Sequence, residues 1–233
     1  MSSISLFSYI VVSDSGFAPN PFHGFCTLAC CKPKIRCAAA IDDWVIGLTP
    51  KKDGHKLLYA MKVEARPTIA EYWRDKRYRV KRPDFAFQDD YGWLGDNIYE
   101  PLPNGAFRQH RSRHSSTDPV FPPGDPRRYT REENGEAKTR DLSGKRVLVA
   151  TEFVYFGAHG AIELPVDLRN ALAVGIGHKK AHSATILDQW LTFFSGLPKD
   201  VQCAFPQKGS CLKKGKGCEN TTGTTRKNAH TCC

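Results

Sequence analysis

No stretch of this 233-residue chain is long and apolar enough to cross a bilayer as a helix, so a helical membrane protein is not expected. A glycine-rich loop closed by Lys-Ser or Lys-Thr is missing, as is HExxH, which excludes a P-loop and a zinc-peptidase helix. Gly175 and Gly177 lack both the third glycine and the clear preceding strand of a dinucleotide fingerprint. Cys26 to Cys31 contains no paired C-x-x-C, and Cys203, Cys211, Cys218, His230, Cys232 and Cys233 are irregularly spaced, so no metal site is expected. No internal repeat is found. An odd count of nine cysteines argues against a fully disulfide-paired secreted framework. The opening MSSISLFSYIVV has neither a basic leader nor a small-residue cleavage site and reads as a first strand. The expected setting is reducing and cytoplasmic.

What is present is 40% hydrophobic residues and a formal charge of +10, with a pI near 9.2. The length and apolar content suit one full core, placed at residues 1–200. Residues 201–233, rich in Gly, Lys, Thr and Cys, cannot bury much and are expected to be a disordered tail. The charge favours nucleic acid or a nucleotide as partner, although a well-solvated basic surface would give the same balance.

The opening third organises the rest. Residues 6–13 form an apolar, β-rich run that ends at Asp14 and opens into a loop crowded with Gly16, Pro19, Asn20, Pro21 and Gly24. Long loops inside a compact domain are usually functional or disordered, and this one holds too many apolar and aromatic residues for disorder. Pro33 suits the first turn of a short helix over 33–40, because its missing N–H would have had no partner there. Residues 44–48 read as a strand, Asp53-Gly54 as a hairpin turn and 57–63 as the return strand. Thr68 is placed to cap a helix running through Trp73.

Residues 74–82 are rich in Lys and Arg around Tyr78. Such a segment can track phosphates and stack a base, or it can be a solvated connection with Tyr78 in the core. Residues 89–99 suit an ordered loop entering a short strand, and 101–136 mostly surface loop. Within that loop RQHRSRH, 108–114, carries three arginines and two histidines. Order is expected to return at Lys145, with one long or two adjacent strands over 146–150 and 153–157 and helices over 165–173 and 184–195. The fold class is α+β: a small mixed or antiparallel sheet with flanking helices.

Several constellations can carry chemistry. Asp14 stands at a strand exit, and Asp42 and Asp43 precede another strand, so strand ends can bring carboxylates together and split their pKa values. Ordinary turn chemistry is the competing explanation, and for Asp42 the better one. Cys26, Cys30, Cys31 and Cys37 cluster around Lys32, Lys34 and Arg36. Cationic neighbours and a helix start would activate Cys31 as a nucleophile, and the same features would make Lys32 and Arg36 a phosphate site. Anion binding is the favoured reading of this cluster; Cys37 looks like core. His114 and His178 are candidates for proton transfer or for structural hydrogen bonds.

Asp14, GFAPNP at 16–21, CTLA at 26–29, CKPKIR at 31–36, DWVIG at 43–47, EYW at 71–73, GDNIY at 95–99, Ser112 to His114, YFG at 155–157 and GHK at 177–179 together resemble the nucleotide-modification-associated domain 2 family. The resemblance runs from about Tyr9 to Lys179. It implies association with bacterial and phage systems that modify nucleic-acid bases, and its matching positions are Asp14, Cys31, Lys32, Arg36, Asp43, Trp44, Asp96, Asn97, His114 and His178. A second similarity, to the PUA, ASCH and EVE small barrels, rests on the helix, DWVIG, the hairpin and YAMKV at 59–63. It implies a β-barrel with an aromatic pocket for a modified base, with Trp44, Trp73 and Trp93 as stacking candidates, although tryptophans also fill cores.

Two functions follow as expectations. One is an enzyme or accessory factor of base modification, with Asp14, Cys31, Asp96 and His114 as catalytic candidates. Lys32, Arg36, Asn20, Trp44, Asn97 and His178 would then hold the phosphate-bearing substrate. The other is a non-catalytic reader of modified bases; a structural partner in a modification or defence assembly is a third possibility. Whether a cofactor is used is left open by the sequence. The functional reading expects the first strand, the basic helix start and the Gly-Asp-Asn turn to share one positively charged hollow.

Overall fold

The computed structural model describes residues 4–86 and 91–197. In chain order the elements are β1 (Leu6–Ile10), β2 (Cys26–Leu28), α1 (Pro33–Ala38), β3 (Trp44–Leu48), β4 (Leu57–Lys62), α2 (Ile69–Arg74), β5 (Tyr99–Pro101), β6 (Phe107–Gln109), α3 (Gly135–Leu142), β7 (Leu148–Ala150), β8 (Phe153–Tyr155), α4 (Gly157–Gly160), α5 (Val166–Leu172), β9 (His178–Ala181) and α6 (Ala184–Ser195). The chain divides into two compact units: Gly16–Ile41 with Glu64–Ala150 form one, and the segments before, between and after them form the other.

The unit that contains the first strand is a five-stranded sheet in the order β8-β4-β3-β1-β9. β1 and β3 are parallel, Leu6 facing Trp44 and Ile10 facing Leu48, and the other pairs are antiparallel. A parallel pair needs a long crossover, and here the crossover carries Gly16–Ile41 into the second unit. Alternation along the strands sends Leu6, Trp44, Ile46, Leu48 and Val154 to a core with Leu168, Leu172 and Trp190. Trp44 meets Phe194 and Trp190 of α6 edge-on, with ring centroids 4.3 Å and 5.5 Å away. Tyr9 and Tyr59 join through their hydroxyls at 2.9 Å. The sheet is open, and no closed barrel exists among the described residues, so the barrel alternative is set aside.

The second unit holds two small antiparallel pairs, β2 with β7 and β5 with β6, around a core of Phe17, Cys30, Ile69, Tyr72, Ile98, Tyr99 and Val149. Helix α2 starts with a full capping box: Thr68 accepts from the Glu71 N–H, and the Glu71 carboxylate accepts from the Thr68 N–H. The basic segment after it winds into a 3-10 helix over Lys76–Lys81 that buries Tyr78 and Lys81.

Of the one long or two adjacent strands expected over 146–157, the structure has two, and they pair in different sheets, β7 with β2 and β8 with β4. Most of segment 101–136 is surface loop, as expected, but it carries β6 and buries Gln109, Ser112, Ser115 and Tyr129. The expected tail lies outside the described residues, as do Asp89 and Asp90. No helix among the described residues is long and apolar enough to cross a membrane.

Candidate functional site

The site grows from the turn between β2 and α1. Cys31 and Lys32 both adopt left-handed backbone, at φ 58° and 40°, before Pro33 opens the helix. Two successive non-glycine residues in that region are costly, of order 1–3 kcal/mol each, and persist only where surrounding contacts hold them. The contacts are plain. The Cys31 N–H donates to Asp141 Oδ1 at 2.8 Å, and the Cys31 carbonyl accepts from Arg36 Nη1 at 3.3 Å. Arg36 is fully buried, and it also donates to the carbonyls of Arg146 at 2.7 Å and Asp141 at 2.9 Å. Its guanidinium lies so close to Gly144 that a Cβ there would sit 2.7 Å from Cζ. Arg36 thus ties the start of α1 to the end of α3 and to the turn that follows it.

His114 comes from the loop after β6. Ser112 and Ser115 close that loop on themselves, with Ser115 Oγ accepting from the Ser112 N–H and donating to the Ser112 carbonyl, while Ser112 Oγ accepts from the His114 N–H. Gln109 holds the His114 carbonyl at 3.0 Å, and the Phe17 ring packs 4.7 Å from the imidazole. The side chain is thereby fixed with Nε2 3.5 Å from Cys31 Sγ and Nδ1 2.5 Å from Asp141 Oδ2. Asp141 also accepts from the Tyr99 hydroxyl at 2.8 Å, and that hydroxyl accepts from Gln109 at 3.2 Å.

Thiol, imidazole and carboxylate therefore stand in line, the base oriented by a third group. Burial by itself would lower the His114 pKa, but the bonds to Asp141 and Cys31 outweigh it and raise the imidazole from 6.5 to about 9. Burial disfavours charge on Asp141 too, yet His114, the Cys31 N–H and Tyr99 hold its carboxyl below the ordinary carboxylate range. Both effects favour the imidazolium form of His114 at neutral pH, 3.5 Å from the Cys31 sulfur. Cys31 is half-buried, whereas Cys26 and Cys30 are enclosed and Cys37 is exposed.

Cys30, His114 and Asp141 each offer a donor atom within 4.8 Å of the others, which raises the question of a metal ion. The donors fit one poorly. Each donor already has protein partners: Cys30 Sγ donates to the Asp96 carbonyl at 3.6 Å, His114 spans Cys31 and Asp141, and the Asp141 oxygens take the Cys31 N–H, the His114 ring and the Tyr99 hydroxyl.

Other candidates from the sequence lie elsewhere. Asp96 is buried and accepts from Thr27 at 2.7 Å and Tyr72 at 2.8 Å, while Asn97 donates to the Tyr72 and Tyr78 carbonyls. Asn20 donates to the Gly16 and Leu94 carbonyls, and its own oxygens take two of the bonds from buried Lys81, the third going to Phe25. These residues form an internal polar network of the second unit. Lys32 is half-buried next to Cys31, and burial lowers its pKa. Asp14, Trp44 and His178 belong to the other unit. There Asp14 accepts from the Tyr155 hydroxyl and from the Ala158 N–H, Trp44 is core, and His178 pairs with Tyr9 across β9 and β1.

A family model described as nucleotide modification associated domain 2 matches residues 3–211, and the chain belongs to that family. No curated protein and no solved structure matches it.

Proposed function

We propose that this member of the nucleotide modification associated domain 2 family is a thiol-dependent enzyme that acts on a nucleotide, or on a base within nucleic acid. Cys31 is the nucleophile, His114 the acid and base, and Asp141 the group that orients and charges the imidazole. The observation that carries this reading is the alignment of Cys31 Sγ, His114 and Asp141, with 3.5 Å and 2.5 Å between successive partners. In the first step the sulfur forms a bond to an electrophilic carbon of the base or of its substituent. The displaced electron pair moves onto a nitrogen or oxygen, which takes the proton from His114 Nε2. In the second step neutral His114 removes a proton from water or another incoming nucleophile, whose oxygen or nitrogen bonds to the carbon as the carbon–sulfur bond breaks, and the thiolate and imidazolium are restored. A reader of modified bases would need a pocket but no such relay.

Cys37 supplies an internal reference, since it is exposed in the same molecule. Alkylation by iodoacetamide at neutral pH, mapped by peptide mass spectrometry, should be faster at Cys31 than at Cys37 by about tenfold or more, and His114→Asn should remove that advantage. Nucleosides from cells carrying the native gene should differ from those of cells carrying Cys31→Ser. A Cys31 no more reactive than Cys37, together with identical nucleoside profiles, would sink the proposal.

A further inference from the structure

The residue next to the catalytic histidine has an unanswered demand. Arg113 is half-buried in the second unit, and none of its guanidinium nitrogens has a hydrogen-bond partner among the described residues; Nη1 is wholly enclosed. The faces of the group are accounted for. The Trp93 and Tyr129 rings stack on each other with centroids 5.5 Å apart, and Arg113 Cζ lies 5.7 Å and 5.6 Å from them. The edges are not, although a guanidinium presents five N–H donors along its edges and a buried donor left unpaired is costly. Arg111, two residues earlier, donates to the carbonyls of Tyr129 and Pro126, and Arg36, although its Nη2 is also enclosed without a partner, still holds three carbonyls through Nε and Nη1. Arg113 directly precedes His114, whose Nε2 lies 3.5 Å from Cys31 Sγ.

We infer that Arg113 is an oxyanion-binding residue of the Cys31 site and that its ligand is a phosphate group of the substrate. The planar fork matches phosphate oxygens in a bidentate manner, and a phosphate supplies the acceptors that the fold withholds. The inference rests on the reading of this site as one that binds a nucleotide or nucleic acid. It assigns the phosphate to the arginine that directly precedes His114 rather than to Arg36, whose Nε and Nη1 are held by main-chain carbonyls. Phosphate can come from a free nucleotide or from a polymer backbone, and the two sources are separable by experiment.

The test uses full-length Cys31→Ser protein, which binds without reacting, and titration calorimetry with inorganic phosphate, deoxynucleoside 5′-monophosphates, the matching nucleosides and a short single strand lacking terminal phosphates. Phosphate-bearing probes should bind, nucleosides should bind at least about tenfold more weakly, and Arg113→Gln should lower the affinity of the phosphate-bearing probes to that of the nucleosides. Arg113→Lys should retain an intermediate affinity. Tight binding of monophosphates assigns a free nucleotide, and tight binding of the strand assigns a polymer; either supports the inference. Because Arg113 packs against Trp93 and Tyr129, thermal unfolding of each variant is run beside the titrations, and an altered affinity counts only for protein that is folded at the titration temperature. Unchanged binding in Arg113→Gln, or no binding by any phosphate-bearing probe, would overturn it. Failure of the alkylation test would remove the nucleophile and leave these titrations readable.

Discussion

At the scale of single residues, Asp141 is the position on which the site turns. Its two carboxylate oxygens receive the Cys31 N–H, the His114 ring and the Tyr99 hydroxyl, so one side chain fixes the strained nucleophile turn and charges the base together. Asp141→Asn keeps the shape but removes the charge. Cys31 alkylation should then slow by about tenfold or more. Breaking a buried pair in this way also costs on the order of 3–5 kcal/mol of stability, which thermal unfolding would register. A variant as reactive and as stable as the native protein would show that the carboxylate does neither job. Cys31 and His114 were among the candidates the sequence offered, and the fold brings them together; Asp141 was not picked out. The signal existed: Asp141 sits in the last turn of α3, where the helix dipole disfavours a carboxylate, and such a residue needs partners from elsewhere in the fold. Spacing along the chain gave no help, since Cys31, His114 and Asp141 meet only through tertiary structure.

At the scale of elements, strands with clear punctuation were readable. β3, its hairpin and β4 follow from the apolar runs around Asp53-Gly54, and Gly54 takes φ 93° at the turn. α6 follows from its apolar stripe, and α2 from Thr68. α3 escaped because only Ala137 and Asp141 of it are buried, so it lacks the apolar periodicity that marks a helix. β5 begins at Tyr99, where the loop over 89–99 was expected to enter a short strand, but β6 escaped because three residues give too short a pattern. Inside β3, Gly47 has a packing role that its sequence does not advertise. A Cβ at Gly47 would lie 2.3 Å from the Tyr59 ring and 2.8 Å from Val11 Cγ2, and Tyr59 is fully buried and bonded to Tyr9. Gly47→Ala should therefore destabilise the protein by about 1–3 kcal/mol through overpacking, read from denaturant unfolding. An unchanged midpoint would mean that the tyrosine pair yields freely and that the contact does not matter.

At the scale of the whole molecule, the chain leaves one unit for the other after Ser15, Ile41, Val63 and Ala150, and no local composition marks those crossings. Each core is assembled from distant segments, so the polar groups that share a core cannot be read in order along the sequence. Two of them make stability depend on pH in opposite directions. His114 is raised from 6.5 to about 9 in the folded state, so its stabilising contribution is complete below pH 6.5 and disappears as pH climbs through 9. Lys81 is lowered from 10.5 to about 8, chiefly by burial; its contribution is complete above pH 10.5 and is lost as pH falls through 8. Between pH 6.5 and 8 the His114 slope dominates, and stability should decline by on the order of 1–2 kcal/mol. Above pH 8 the rising Lys81 contribution offsets it, and the curve should flatten. Unfolding by urea at a series of pH values measures this profile, and the same series on His114→Asn isolates its cause: the decline should vanish while the Lys81 limb remains. If the variant declines as steeply as the native protein, His114 does not carry the raised pKa, and the imidazolium on which the thiol chemistry depends is not there.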